Sequence, residues 1–398
     1  MNSHRFGENN PVRRNMLPYG RQWLDEEDIE AVIDVLKSDF ITQGPKITEF
    51  EQSIASKVSA KYAVAFSNGT AALHGACYAA GITEGDEVIT SPITFAASSN
   101  CVLYQRGTPV FSDIDLTSYN LDPDGAESRI TNRTKAIIPV DFAGQPAEMD
   151  RFIEIAEKHN LVLIQDAAHS LGAAYKGNKV GSIADMTMFS FHPVKAITTG
   201  EGGVIVTDSE DYYQKLLLFR SHGITKDPKL FEDNKGPWHY EMHDLGYNYR
   251  MTDIQAALGL SQLQRLEHFL ARRKDIAEKY TDAFADMEGI VTPYQVPYAD
   301  SAWHLYVTRW LPECFQADRR TLFDALRNEG IGVQVHYLPV YQHPYYKKLG
   351  YSSLCTKAET FYSTSISLPI YPKMSDEDVS DVIKAVKKVY DIFAKNIR

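Results

Sequence analysis

Apolar residues recur along this chain at two spacings, one helical and one of short continuous runs. Ile29, Val32, Ile33 and Leu36 fall at i, i+3, i+4 and i+7, behind a cluster of acidic residues. That spacing predicts an amphipathic helix over 25–40, and a second helix is expected over 47–58. Short apolar runs then alternate with helical stretches. Strands are predicted at 62–66, from 87, and at 109–113, 135–140, 161–164, 186–189 and 204–206. Helices are expected over 71–80, from 96, over 149–159 and over 211–222. Strands alternating with helices imply an α/β fold whose mostly parallel sheet is covered on both faces. A polar stretch at 225–240 reads as a mobile loop. Thr252 and Gln255 form a capping box that opens a long helical stretch to about residue 287. This stretch is expected to link a large domain, 17–268, to a smaller C-terminal α/β domain, 269–398. The smaller domain should contain strands at 304–309 and 332–336 and helices at 319–329 and 375–394.

Composition narrows the class of protein. The 398 residues carry a formal net charge of −11, which argues against nucleic acid or an anionic membrane as partner. No apolar run approaches the ~20 residues that span a bilayer. Residues 1–16 are polar, without the apolar core of a signal peptide, and read as a disordered arm. Cys77, Cys101, Cys314 and Cys355 lie far apart, with no metal-ligand spacing. The expectation is a cytoplasmic protein with structural thiols and no metal.

One stretch concentrates the chemistry. Lys195 sits alone in a polar loop between the apolar runs 186–189 and 204–206. Pro193 denies the loop a helix, and Gly200, Gly202 and Gly203 permit tight turns and close backbone approach. A lone lysine in a loop is ordinarily a solvated one. Rigid flanks favour another reading, a lysine desolvated enough to form a Schiff base with an aldehyde cofactor. That reading needs an acid for a ring nitrogen, a phosphate cradle and a flat side chain over the ring. Asp166 closes a predicted strand 29 residues before Lys195, where a buried carboxylate needs a cation or serves as an N-cap. Ser67-Asn-Gly-Thr70 joins a strand to a helix, as an anion site or as an ordinary cap by Asn68 or Thr70. Phe95 lies just past a strand, where open α/β sheets bind ligands, although core packing is the commoner role.

Taken together, Ser67-Asn-Gly-Thr-Ala-Ala72, Asp166-Ala-Ala-His169, Ser190-Phe-His-Pro-Val-Lys195, Glu201-Gly-Gly203 and Gly246-Tyr-Asn-Tyr-Arg-Met251 resemble a known family. It is that of the DegT/DnrJ/EryC1/StrS sugar aminotransferases, fold-type I enzymes that use pyridoxal 5'-phosphate. The likeness runs from about Met16 to the C-terminus. It implies that Lys195 carries the cofactor and moves the proton, and that Asp166 pairs with the ring nitrogen. Phe95 and Ala168 would flank the ring, with His169 near the ring hydroxyl. Thr70, Ala71 and Ser190 would bind the phosphate, and Asn248 would reach the site of a second subunit, making a homodimer. His192 and His336 would meet the sugar nucleotide. Leu218-Phe-Arg-Ser-His-Gly223, Val333-Gln-Val-His-Tyr337, Ala358-Glu-Thr-Phe-Tyr362 and Ile366-Ser-Leu-Pro369 narrow the likeness to pseudaminic acid biosynthesis. There L-glutamate aminates C4 of a UDP-linked 4-keto-6-deoxy-N-acetylhexosamine. A GDP-linked 4-keto-6-deoxymannose, as in perosamine synthesis, is the alternative acceptor. The cavity walls expected for the sugar are 42–45, His192, 225–240 and His336, with Arg220, Arg250 and Lys226 for the diphosphate. Dehydratases of the family replace the lysine with histidine, which this chain does not. A cysteine desulfurase or lyase would need a cysteine in an active-site loop, and a regulator without catalysis would not need Lys195, Asp166 and Thr70 together.

Overall fold

The computed structural model describes residues 10–352 and 355–395. The chain opens with helices α1 (Glu26–Lys37) and α2 (Pro45–Val58). It then lays down β1 (Tyr62–Phe66), α3 (Gly69–Ala79), β2 (Glu87–Thr90), α4 (Ala97–Tyr104), β3 (Thr108–Phe111) and β4 (Thr134–Ile138). After α5 (Met149–His159) come β5 (Val162–Asp166), β6 (Met186–Ser190), β7 (Gly203–Thr207) and α6 (Glu210–Arg220). These strands form one seven-stranded sheet in the order β1-β7-β6-β5-β4-β2-β3. Only β7 runs against the others, so the sheet is mostly parallel, as the alternating pattern predicts.

Side-chain alternation along each strand divides the apolar residues between the two faces. Ala63, Ala65, Val204 and Val206 pack with Phe50 and Ile54 of α2. Val64, Phe66 and Ile205 pack with Leu73, Ala76 and Cys77 of α3 on the other side. The catalytic-looking loops are therefore held at the ends of strands that are buried on both faces.

The chain continues with α7 (Asp253–Gln264), whose Ala256 and Leu263 join the core of the large sheet, and with α8 (Leu266–Phe284). It continues through β8 (Ile290–Val291), β9 (Tyr306–Trp310), α9 (Arg319–Asn328), α10 (Thr356–Thr364), β10 (Ser365–Leu368) and α11 (Asp376–Phe393). Its small sheet has the order β8-β9-β10. α8 passes from one core to the next. Leu266 and Phe269 belong to the core of the large sheet, whereas Ile276, Ala277, Tyr280 and Phe284 belong to that of the small sheet.

Three expectations need correcting. The single helix expected from 252 to 287 breaks at Arg265 (φ −102°, ψ 3°), where the guanidinium is ion-paired to Asp25 and Asp28. Residues 332–336 form no strand. The segment makes single bridges, Ile331 with Leu17 and Gln334 with Ser367, because Gly332 N–H is taken by the carbonyl of Leu17 at 2.7 Å. The strand that completes the small sheet is instead β10, Ser-Ile-Ser-Leu. Of the arm expected over 1–16, residues 1–9 lie outside those described, while Val12 N–H donates to Glu329 Oε2 at 2.9 Å and Arg13 meets Asp378 at 2.7 Å.

The apolar stripe of α1 faces outward. Ile29, Ile33 and Leu36 are exposed, and the helix is anchored instead through Val35 and the buried Asp28. Asp28 accepts from Ser261 Oγ at 2.7 Å and Gln262 Nε2 at 2.6 Å, besides its pair with Arg265.

Candidate active site

β6 and β7 run antiparallel, with Ser190 opposite Gly203, and the loop between them carries Lys195. Phe191 N–H donates to Gly202 O at 2.9 Å, Thr199 N–H to Phe191 O at 3.0 Å, and Lys195 N–H to His192 O at 2.9 Å. Phe191 and Ile197 anchor the loop in the core below. A Cβ at Gly203 would lie 2.6 Å from the carbonyl oxygen of Asn68. Glycine there lets the Asn68–Gly69 turn press against β7, which brings the start of α3 beside the Lys195 loop.

Asn68 is the N-cap of α3, its side chain accepting from Ala71 N–H at 2.8 Å. The capping reading of that turn therefore holds for Asn68. Neither the amide nor the hydroxyl of Thr70 has a protein partner among the described residues, and Thr70, Ala71 and Ser190 all line the same cavity. Free donors at the N-terminus of an eleven-residue helix suit an anion.

Asp166 ends β5 beneath this turn and is buried. Ser98 Oγ donates to its Oδ2 at 2.5 Å and Ala168 N–H to its Oδ1 at 3.1 Å. Thr94 and Ser98 share a further hydrogen bond of 2.7 Å. Burial pushes the carboxyl up, and Ser98, the Ala168 amide and the charge of Lys195 pull it back. No lysine or arginine forms an ion pair with it among the described residues, so a buried acid faces the cavity without a counter-ion.

Lys195 retains some accessible surface because it lines the cavity, yet the protein around it strips most of its hydration. Desolvation brings its amine down to about 8, opposed by Asp166 and reinforced by the positive charge of Arg273. His169 and His304 lie with ring centres 4.2 Å apart and planes tilted by 35°, and burial with the nearby cations holds both well below the ordinary imidazole range. Burial, then the charge of Lys195, takes His336 down to about 3. Its Nδ1 lies 2.8 Å from Ser367 Oγ. These imidazoles are neutral hydrogen-bonding groups rather than cations. His169 Nδ1 is buried and has no protein partner. Phe95 leaves 64% of its surface uncovered, so it is not a core residue; its ring lines the cavity.

The cavity has a volume of about 720 Å³. Ten of the eleven residues expected at the site line it: Thr70, Ala71, Phe95, Asp166, Ala168, His169, Ser190, His192, Lys195 and His336. Asn248 does not. It is exposed, bridged to Ser221 on the surface beyond α6. Arg220, expected for a diphosphate, is committed elsewhere, paired with Glu51 and donating to Ala65 O at 2.8 Å. Arg250, Lys226, 42–45 and 225–240 do not line the cavity of their own chain. The 225–240 segment folds back on Glu241, which accepts from Glu232 N–H at 2.8 Å and Asp233 N–H at 3.0 Å. Residues that local sequence did not reveal are Tyr19, Ser98 and Tyr337 in the cavity wall, and Arg273 and His304 behind it.

A lysine with its amine brought towards neutrality, an unpaired buried acid, free helix-terminal donors and an exposed aromatic ring fit pyridoxal phosphate group by group. Placed at the ends of a mostly parallel sheet, they define a pyridoxal-phosphate enzyme of fold type I. The chain belongs to the DegT/DnrJ/EryC1/StrS aminotransferase family, whose profile matches residues 22–387, and it is a sugar aminotransferase. It is 42% identical over 380 residues to the spore coat polysaccharide biosynthesis protein SpsC of Bacillus subtilis, covering 95% of this chain and 98% of that one. It is 40% identical over 385 residues to the UDP-4-amino-4,6-dideoxy-N-acetyl-β-L-altrosamine transaminase of Campylobacter jejuni, covering 94% and 100%. Among solved structures, Helicobacter pylori PseC, an aminotransferase of pseudaminic acid biosynthesis, superposes with a TM-score of 0.89 at 34% identity, covering 95% and 100%. No helix among the described residues is long and apolar enough to cross a membrane.

Proposed function

We propose that this enzyme transfers the amino group of L-glutamate to C4 of a UDP-linked 4-keto-6-deoxy-N-acetylhexosamine, in the pathway to pseudaminic acid. The observation that carries this reading is the 40% identity, over nearly the whole chain, to a transaminase named for that product sugar. Pyridoxal phosphate, when bound, would supply an aldehyde able to carry the amino group from donor to keto acceptor and a ring that serves as an electron sink.

The chain's own residues divide the work. Lys195 would hold the cofactor at Nζ and move the proton, a task suited to an amine that desolvation brings down to about 8. Asp166 keeps the ring nitrogen protonated, with Ser98 and the Ala168 amide fixing its two oxygens. Phe95 and Ala168 confine the ring, and His169 Nδ1 is available to the ring hydroxyl. Thr70, Ala71 and Ser190 take the phosphate, and His192 and His336 take the sugar nucleotide. The competition that tests the substrate offers the enzyme the UDP sugar and a GDP-linked 4-keto-6-deoxymannose together, with glutamate. A higher kcat/KM for the UDP sugar is expected; preference for the GDP sugar would overturn the pathway assignment.

The same reading makes the enzyme a homodimer, with Asn248 serving the cavity of the partner subunit. Two exposed apolar surfaces support it. One is the Ile29, Ile33 and Leu36 stripe of α1; the other is Trp238, Met242 and Leu245, next to Asn248, with Trp238 75% uncovered. Mixing inactive Lys195→Ala and Asn248→Ala subunits should restore activity, because in a mixed dimer one site is fully intact and the other carries both defects. With subunit exchange verified, no recovery would mean that Asn248 does not act across subunits.

A further inference from the structure

Arg273, on α8, is 1% exposed, and its hydrogen bonds all go to backbone carbonyls. Nη1 donates to Ile370 O at 2.9 Å, His304 O at 3.2 Å and Trp303 O at 3.3 Å, and Nη2 donates to Val194 O at 3.3 Å. No carboxylate lies within ion-pairing distance among the described residues. A buried cation without an anion is costly, and its carbonyl partners recover only part of the lost hydration. An apolar residue would fill the space at lower cost, so the charge itself has a use.

Two features locate that use. Val194 is the residue before Lys195, so one arm of the guanidinium grips the loop that carries the lysine. The other arm grips segments that flank the small sheet, Trp303 and His304 before β9 and Ile370 after β10. We propose that Arg273 is a positioning residue for Lys195, a buried cation that pins the lysine's loop to the small sheet and acts on the lysine's charge from behind the cavity. The proposal rests on the reading that Lys195 holds the cofactor.

The charged and titratable surroundings of Lys195 leave this role to Arg273. Asp166 favours the protonated amine, whereas the guanidinium opposes it. His169, His304 and His336 are kept neutral by burial and by Lys195 itself. His192 and Glu201 line the same cavity, and neither is a permanent cation. Burial lowers Arg273 itself only to about 10, so it stays charged throughout the working pH range. Its planar fork can reach carbonyls on both sides at once, which a lysine's point charge cannot.

The test uses holoenzyme and follows the visible absorbance of the bound cofactor against pH. In Arg273→Gln the titration midpoint should rise by about one pH unit, because a cation beside the attachment point has gone. In Arg273→Lys the midpoint should stay near the wild-type value while kcat falls about tenfold, since the charge remains and the forked contacts do not. A folded, cofactor-loaded Arg273→Gln with an unmoved midpoint overturns the electrostatic role. Arg273→Lys with wild-type kcat overturns the pinning role, whether or not Arg273→Gln folds. Borohydride reduction and peptide mapping of the same samples separate the two readings. Cofactor fixed on a lysine other than Lys195 would refute the underlying assignment, whereas cofactor on Lys195 with unmoved properties refutes only the role of Arg273.

Discussion

Replacing Lys195 with alanine is expected to lower kcat on the order of 10⁴-fold or more, the combined loss of covalent attachment and of a positioned acid–base group. Borohydride should fix the cofactor on the wild-type protein and leave Lys195→Ala unlabelled. The geometry of the site favours this lysine over any other for that role. Its flanking strands are buried on both faces, its loop is anchored by Phe191 and Ile197, and its amine is brought to about 8 by desolvation. An ordinary surface lysine is almost wholly protonated at neutral pH and a poor nucleophile. Covalent loading of the cofactor-free enzyme should therefore quicken as the pH rises through about 8 and level off above it. Trapping that persists on another lysine in Lys195→Ala would remove the assignment.

Asp166→Ala is expected to cost about 10³-fold in kcat, because the ring nitrogen loses the group that keeps it protonated in an enclosed site. Stability separates this from a folding defect. The carboxyl is raised above its ordinary 3.8, with burial the largest cause. A raised carboxyl contributes stability that is complete below the unfolded value and is lost as the pH rises through the folded value. At pH 8 the cofactor-free wild type carries that cost, so Asp166→Ala should be no less stable than wild type in that state. Adding pyridoxal phosphate should then raise the Tm of the wild type by more than that of the variant, because the buried carboxylate gains its cation only when the cofactor is present. An equal rise in both proteins would contradict the pairing.

Local sequence made the sheet and the groups nearest the chemistry legible. The flanks of Lys195, the strand end at Asp166 and the turn before Thr70 are each defined within a few residues. What stayed hidden is set by topology. Ser98 meets Asp166 across 68 residues of chain, and Arg273 meets Val194 across 79, so no short motif marks either contact. Charge was misleading for Arg220, whose guanidinium is spent on Glu51 and the carbonyl of Ala65. Periodicity found α1 but not its orientation, since an apolar stripe does not say whether its partner is the chain's own core or another surface. The break at Arg265 was invisible for a similar reason: the residue's ion-pair partners, Asp25 and Asp28, lie near the start of the chain.

The central claim is that nitrogen passes from glutamate to C4 of a UDP-linked keto sugar. Incubating the enzyme with ¹⁵N-labelled L-glutamate and the UDP-4-keto-6-deoxy-N-acetylhexosamine, and locating the label by NMR, tests it most directly. The account predicts ¹⁵N bonded to C4 of the product, with 2-oxoglutarate formed in equal amount. Label at C3, or an unaltered UDP sugar in the presence of active, cofactor-loaded enzyme, would contradict it.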